Sequence, residues 1–215
     1  MKHKFSAAAC ACLLAACSLT GCGAADESSD DGMNLEQYPY GSTLVEDTSR
    51  SMTISYDKRF LDDALVEKIY TYYHSLESKD GEAFGSVMFP LYHDYQLHTL
   101  YEDSMTDQDL AEGTHDNIKE YFGYDFDYAF IDVTNVVTKL GESSGRDSLE
   151  LMLDQLAEEK KQKSVSDDTQ HLYEMTITRY IDKKGSGTKT QTDDYMSDET
   201  LYAIQYQNEW YLMYS

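Results

Sequence analysis

The chain is expected to fold as α+β, with N-terminal helices packed on one face of a curved antiparallel sheet. Three observations predict this. Apolar residues recur at helical spacing from Phe60 to Phe122. Aromatic and β-branched residues dominate from Phe126 to Leu140, and apolar and polar residues alternate from Leu172 to Ile181. The chain then closes with two strand-like runs, Leu201–Tyr206 and Trp210–Tyr214, joined by Gln207-Asn208-Glu209. So short a connection suits an antiparallel hairpin.

Taken in order, Tyr38-Pro39-Tyr40-Gly41 marks a turn and the start of ordered chain, and Met52–Tyr56 suits a short strand. Leu61, Leu65, Ile69, Tyr72 and Leu76 share one helical face, with Asp62 and Asp63 in the first turn, where the helix dipole favours acid. Asp80-Gly81 is expected to end that helix. A second amphipathic piece carries Ala83, Phe84, Val87 and Met88 and closes at Pro90, and Leu91–Tyr101 continues as helix. Thr106 with Asp109 predicts a capping box for a helix running to Phe122, stopped by Gly123. A helical insert near 147–163 places Leu149, Met152, Leu153 and Leu156 on one face. Lys183-Lys184-Gly185-Ser186-Gly187 is a turn, and Thr188–Thr192 suits a solvated strand.

The N-terminus sets the compartment. Lys2, His3 and Lys4 precede an uncharged, alanine-rich run from Phe5 to Leu19, the pattern of a secretory signal. Leu19-Thr20-Gly21-Cys22 resembles the bacterial lipobox at all four positions. The resemblance implies cleavage before Cys22, lipidation of its thiol with palmitate-type acyl chains, and a domain held on the extracytoplasmic side of a cell membrane. The organisation expected is a lipoprotein signal peptide over 1–21, a disordered acidic tether over 22–37 and one α+β domain over 38–215. All four cysteines, Cys10, Cys12, Cys17 and Cys22, lie in or beside the signal. The domain therefore has no disulfide, redox pair or cysteine zinc site. Without the two signal lysines, 15 basic residues face 40 acidic ones, a formal −25. Such a surface repels phosphate backbones and excludes nucleic acid as a partner.

The order of elements resembles a nuclear-transport-factor-2-like domain. Leu65-Val66-Glu67-Lys68-Ile69-Tyr70-Thr71-Tyr72-Tyr73 running into Ser78-Lys79-Asp80-Gly81-Glu82-Ala83-Phe84, the helix-then-sheet order, and the close on Asn208-Glu209-Trp210-Tyr211-Leu212 carry the resemblance. Asn208-Glu209 stands where that superfamily commonly has Gly-Lys, and the helical insert is a further departure. The resemblance implies a cone, a curved sheet wrapped around helices with a pocket at the wide end. The superfamily's ketosteroid isomerases use an aspartate base and a tyrosine oxyanion donor, but no segment here matches their motif.

For chemistry, His93, Asp94 and His98 form the densest cluster. His93 and His98 lie about 140° apart on an ideal helix, which argues against a shared metal. His93 and Asp94 point about 100° apart, so both are expected to behave as ordinary surface positions. The chain holds 19 tyrosines. Tyrosine bodies fill cores, and their polar tips also suit a sugar- or steroid-sized pocket. The candidate pocket-lining set is Tyr72, His93, Tyr95, Tyr202, Tyr206 and Trp210. No EF-hand, HExxH, GxSxG or phosphate loop occurs, so neither metal nor cofactor is expected. The reading favoured is a surface-tethered, non-enzymatic module that binds a small ligand or an envelope protein. A small pocket enzyme (isomerase, cyclase or hydrolase) and a carbohydrate-binding envelope protein are the alternatives.

Overall fold

A computed structural model describes residues 40–187 and 195–214. The signal peptide, Cys22, the tether and the expected strand Thr188–Thr192 lie outside the described residues. The described chain is α+β, with five α-helices and one open six-stranded sheet in the order β1-β2-β3-β4-β5-β6.

The chain enters through a turn at Gly41, whose φ of 87° glycine tolerates. It forms β1 (Leu44–Asp47), which pairs antiparallel with β2 (Thr53–Asp57). Asp57, at the end of β2, is fully buried and ties this entry down. It accepts from Gly41 N at 2.9 Å and from Thr43 Oγ1, and its Oδ2 meets Arg59 Nη2 at 2.6 Å.

The helical half follows the predicted periodicity, but its punctuation differs. α1 (Asp63–Ser78) has Asp62 as its N-cap, the Oδ1 accepting from Leu65 N at 2.8 Å. It ends at Lys79, which takes the left-handed conformation. Asp80 does not end α1; it caps α2 (Gly81–Val87) by accepting from Ala83 N. Pro90 likewise opens α3 (Pro90–Tyr95), because a first-turn proline loses no helical hydrogen bond. The helix expected over Leu91–Tyr101 changes to a π-helical turn at Gln96–Leu100. The Thr106/Asp109 capping box opens α4 (Asp107–Phe122), and Gly123 closes it at a φ of 77°.

β3 (Phe126–Val137), β4 (Thr169–Lys183), β5 (Tyr195–Tyr206) and β6 (Glu209–Tyr214) run antiparallel in sequence order. Between β3 and β4 the insert forms α5 (Ser144–Glu159), capped by Ser143. Gln207 and Asn208 both have positive φ, 53° and 66°, as a two-residue hairpin turn requires. Two expectations are corrected. β2 runs parallel to β3, so the sheet is mixed and not purely antiparallel. Helices also lie on both faces, because alternate strand residues feed two separate cores. Tyr173, Met175, Leu201, Ala203 and Leu212 point toward α1, α2 and α4. Leu172, Ile204 and Met213 point the other way, where Leu149, Leu153 and Ala157 of α5 and Phe89 cover them.

Candidate functional site

The second face carries an open groove of about 410 Å3. Three separate stretches build it. The start of α3 contributes Phe89, Pro90, Leu91 and Asp94; the chain after α5 contributes Lys160, Gln162 and Val165; the β5–β6 hairpin contributes Tyr206, Gln207 and Tyr211. Local hydrogen bonds hold each stretch. Phe89 N donates to Leu212 O at 2.9 Å, which pins the start of α3 to the edge of β6. Lys161 adopts a φ of 57°, so the chain turns sharply after α5, and Gln162 N returns to Ala157 O at 2.8 Å. Gln207 N donates to Asp168 O at 3.1 Å, which fixes the hairpin tip.

Phe89 is 3% exposed and forms the floor. Tyr206 and Tyr211, both half-buried, flank it at ring-centroid distances of 5.4 and 5.7 Å. Lys160 Nζ and Asp94 Oδ2 form an ion pair that joins the end of α5 to α3. The Lys160 hydrogen bond holds the Asp94 carboxyl below its usual range. Burial pushes the Tyr211 phenol up, and the Glu209 carboxylate that accepts its hydrogen bond at 2.9 Å adds to this.

The six candidate pocket residues are not brought together. Tyr72 is packed in the first core, edge-on to Tyr73. Tyr95 sits half-buried on α3 beside Tyr92. Tyr202 lies on the second face near Glu174, and burial raises its phenol. Tyr206 lines the groove, whereas Trp210 belongs to the first core and edges a smaller recess with Lys58, His171 and Tyr173. His93 is not the surface position expected. It is 8% exposed, its Nε2 lies 2.6 Å from Asp107 Oδ1, and its ring meets Phe84 at 6.1 Å. Asp94, the next residue, points instead into the groove.

An acid and tyrosines do converge, and of these only Tyr72 was among the sequence candidates. Glu199 of β5 accepts from the Tyr73 hydroxyl, and its Oε2 lies 2.6 Å from Arg179 Nη1. Burial pushes the Glu199 carboxyl up, opposed by Arg179. Burial likewise raises the phenols of Tyr72, Tyr73 and Tyr128, each of which feels the Glu199 charge. These rings are 5%, 0% and 1% exposed, so the cluster is a packed polar network in the core. Of the other histidines, His115 is buried between Leu76 O and Asp125, and His98 is exposed beside Asp94 and Asp103. Among the described residues, no group of three or more His, Cys, Asp or Glu is placed to hold a metal ion. No described helix is long and apolar enough to cross a membrane.

Most groove residues escaped the sequence reading because they come from three distant stretches and none carries a motif. One signal was present: Phe89-Pro90 places a large aromatic residue at a helix start, where a hydrophobic side chain often fixes how the chain enters. Compared with known proteins, the chain matches no family model, no curated protein and no solved structure.

Proposed function

We propose that the chain is a lipid-anchored, non-enzymatic binding protein of a bacterial cell envelope, and that the groove between α3, the end of α5 and the β5–β6 hairpin takes its ligand. The groove carries the reading. It combines an aromatic floor and flanks with a few placed polar groups, and its volume lies within the ~300–1,000 Å3 usual for ligand sites. The lipobox-like Leu19-Thr20-Gly21-Cys22 supports the anchor. The domain is read as a nuclear-transport-factor-2-like cone. Helices α1, α2 and α4 against one face of consecutive antiparallel strands β3–β6 support that reading. In this account α5 is the departure that moves the binding surface to the other face.

Two measurements test this. Metabolic labelling with an alkynyl fatty acid is expected to mark the wild-type chain and not Cys22→Ala; labelling of that variant sinks the anchor. A photo-crosslinking residue in place of Gln162, used on intact cells, is expected to capture a discrete species. Loss of that adduct in Tyr206→Ala/Tyr211→Ala ties the capture to the groove, and the absence of any adduct refutes the binding reading.

A small pocket enzyme is the second reading. The observation favouring it is Glu199, a carboxyl raised by burial beside tyrosine hydroxyls, since an acid tuned toward neutrality is what proton transfer needs. Close packing of Tyr72, Tyr73 and Tyr128 keeps this reading second, because a substrate reaching Glu199 from the core side has to displace those rings.

A further inference from the structure

We infer that the groove's ligand is an uncharged glycan strand, laid from the Tyr206/Tyr211 site along the C-terminal end of α5; this rests on the groove being the binding site. The aromatic part comes first. Tyr206 and Tyr211 are inclined 68° and 60° to Phe89, so two half-buried rings rise from one buried floor. A sugar ring has an apolar C–H face and a rim of hydroxyls, so a site for it needs aromatic surface and polar groups within one residue's reach.

The polar rim matches hydroxyls rather than charges. Asp94 only accepts hydrogen bonds, Lys160 only donates them, and Gln162 and Gln207 do both. Each sugar hydroxyl also does both. Lys160 and Asp94 neutralise one another, so the Tyr206/Tyr211 end of the groove offers no unpaired charge of either sign. The chain as a whole is formally −23, which opposes polyanions. A carboxylated or phosphorylated polymer therefore meets repulsion at long range, a neutralised pair beside Tyr206 and Tyr211, and two acids, Asp154 and Glu158, against one cation, Lys161, at the end of α5.

Length follows from continuity. A second open recess, about 650 Å3, is lined by Leu151, Asp154, Gln155, Glu158, Lys161 and Ser164 together with Gln162. Gln162 lines both recesses, so the two adjoin, and a chain of sugars leaving the first has the second beside it. Together the two recesses exceed what a single sugar fills. An extended peptide fits less well, because the β6 edge beside the groove is already engaged. Leu212 O accepts from Phe89 N, and Tyr214 O accepts from the Tyr92 hydroxyl and from Gln96 Nε2. Those two carbonyls are therefore not open to a peptide's backbone N–H groups.

Calorimetric titration of the full-length lipidated protein in detergent micelles tests this. The probes are cellohexaose, chitohexaose and maltohexaose, the corresponding disaccharides, and an oligogalacturonate as the acidic control. At least one neutral hexasaccharide is expected to bind, and more tightly than its disaccharide. Tyr206→Ala/Tyr211→Ala is expected to weaken that binding by about tenfold or more, the scale of a lost aromatic contact. Gln155→Trp, which fills the second recess, is expected to weaken the hexasaccharide and spare the disaccharide. A thermal melt of each variant identifies any loss due to unfolding. Binding of none of the neutral hexasaccharides, tighter binding of the oligogalacturonate, or unchanged affinity in a folded double-tyrosine variant overturns the inference. If the crosslink at Gln162 instead captures a protein, the groove stands as a binding site and the glycan assignment falls; if it captures nothing, both fall.

Discussion

Trp210 connects the last strand to the first long helix, and that connection has a measurable worth. Its ring is 4% exposed in the first core, 5.4 Å from Tyr173 and stacked on His171 at 5.9 Å. Its Nε1 donates to Asp62 Oδ2 at 3.1 Å, while the other Asp62 oxygen caps α1. Trp210→Ala removes the ring and the hydrogen bond together and is expected to cost ~3–5 kcal/mol, as large aromatic truncations in cores do. Trp210→Phe keeps most of the apolar surface and loses the donor, for ~0.5–1.5 kcal/mol of hydrogen bonding plus a packing cost. Asp62→Ala removes the cap, worth ~1 kcal/mol, and leaves the indole N–H without its acceptor. Asp62→Ala/Trp210→Phe should therefore cost less than the sum of its singles, by ~0.5–1.5 kcal/mol. Urea titrations of the four proteins, with equal slopes, provide the cycle. Singles that add within ~0.3 kcal/mol show that the bond contributes nothing, and a Trp210→Ala loss under ~1 kcal/mol shows that the ring does not hold the sheet to the helices.

Four further outcomes are expected. His93→Ala leaves Asp107 without its partner and opens space beside Phe84, so it is expected to cost ~1–3 kcal/mol in a denaturant titration. Asp94→Asn, which weakens the half-exposed pairs with Lys160 and His98, is expected to cost under ~1 kcal/mol. Gly81→Ala drives a Cβ to 2.5 Å from Gln108 N, a backbone atom that cannot swing away, and is expected to cost ~1–3 kcal/mol by thermal melt; an unchanged midpoint disproves the close approach of α2 to α4. Burial raises the Asp57 carboxyl, but hydrogen bonds from Arg59, Thr43 and Gly41 outweigh it and hold the group well below its usual range. A depressed folded value contributes stability that is complete above the unfolded value of ~4 and is lost as pH falls through the folded value. Melts from pH 7 to pH 2 are therefore expected to show a shallower acid loss for Asp57→Asn than for wild type, and parallel curves contradict this.

Local signals were legible in the sequence where one stretch of chain decides the outcome. The Thr106/Asp109 box, Gly123, the α1 periodicity and the final hairpin each depend on residues a few positions apart, and each element formed where its signal lies. Punctuation was less legible because one residue serves either neighbour. Asp80 and Pro90 mark boundaries, and only the backbone shows that both begin helices. The parallel pairing of β2 with β3 had no sequence signal, since the partners are separated by four α-helices and the π turn. β1, with one half-buried valine among polar and exposed neighbours, offered no hydrophobic run to read.

The groove shows why a site can be less legible than its fold. The period of β4 and β5 states that Leu172 and Ile204 face opposite to Tyr173 and Ala203. It also implies that those apolar side chains need cover, and the insert α5 is an amphipathic segment the first core does not use. Placing α5 on the second face follows from that requirement, and so does a seam where its end meets α3 and the hairpin. Which residues line the seam depends on how far α5 runs and how sharply it turns at Lys161, a backbone outcome and not a pattern. A protein in which α5 ends one turn earlier loses Lys160 from the Asp94 pair and leaves Phe89 less covered. Shortening α5 by deleting Glu158-Glu159-Lys160-Lys161 is therefore expected to abolish ligand capture at the groove while leaving α1, α2, α4 and the first core intact. Hydrogen exchange checks this: amides of α1 and β3 are expected to keep wild-type protection, while those at the start of α3 lose it. Loss of protection in α1 as well shows that the two faces fold as one unit and that the groove cannot be altered independently of the first core.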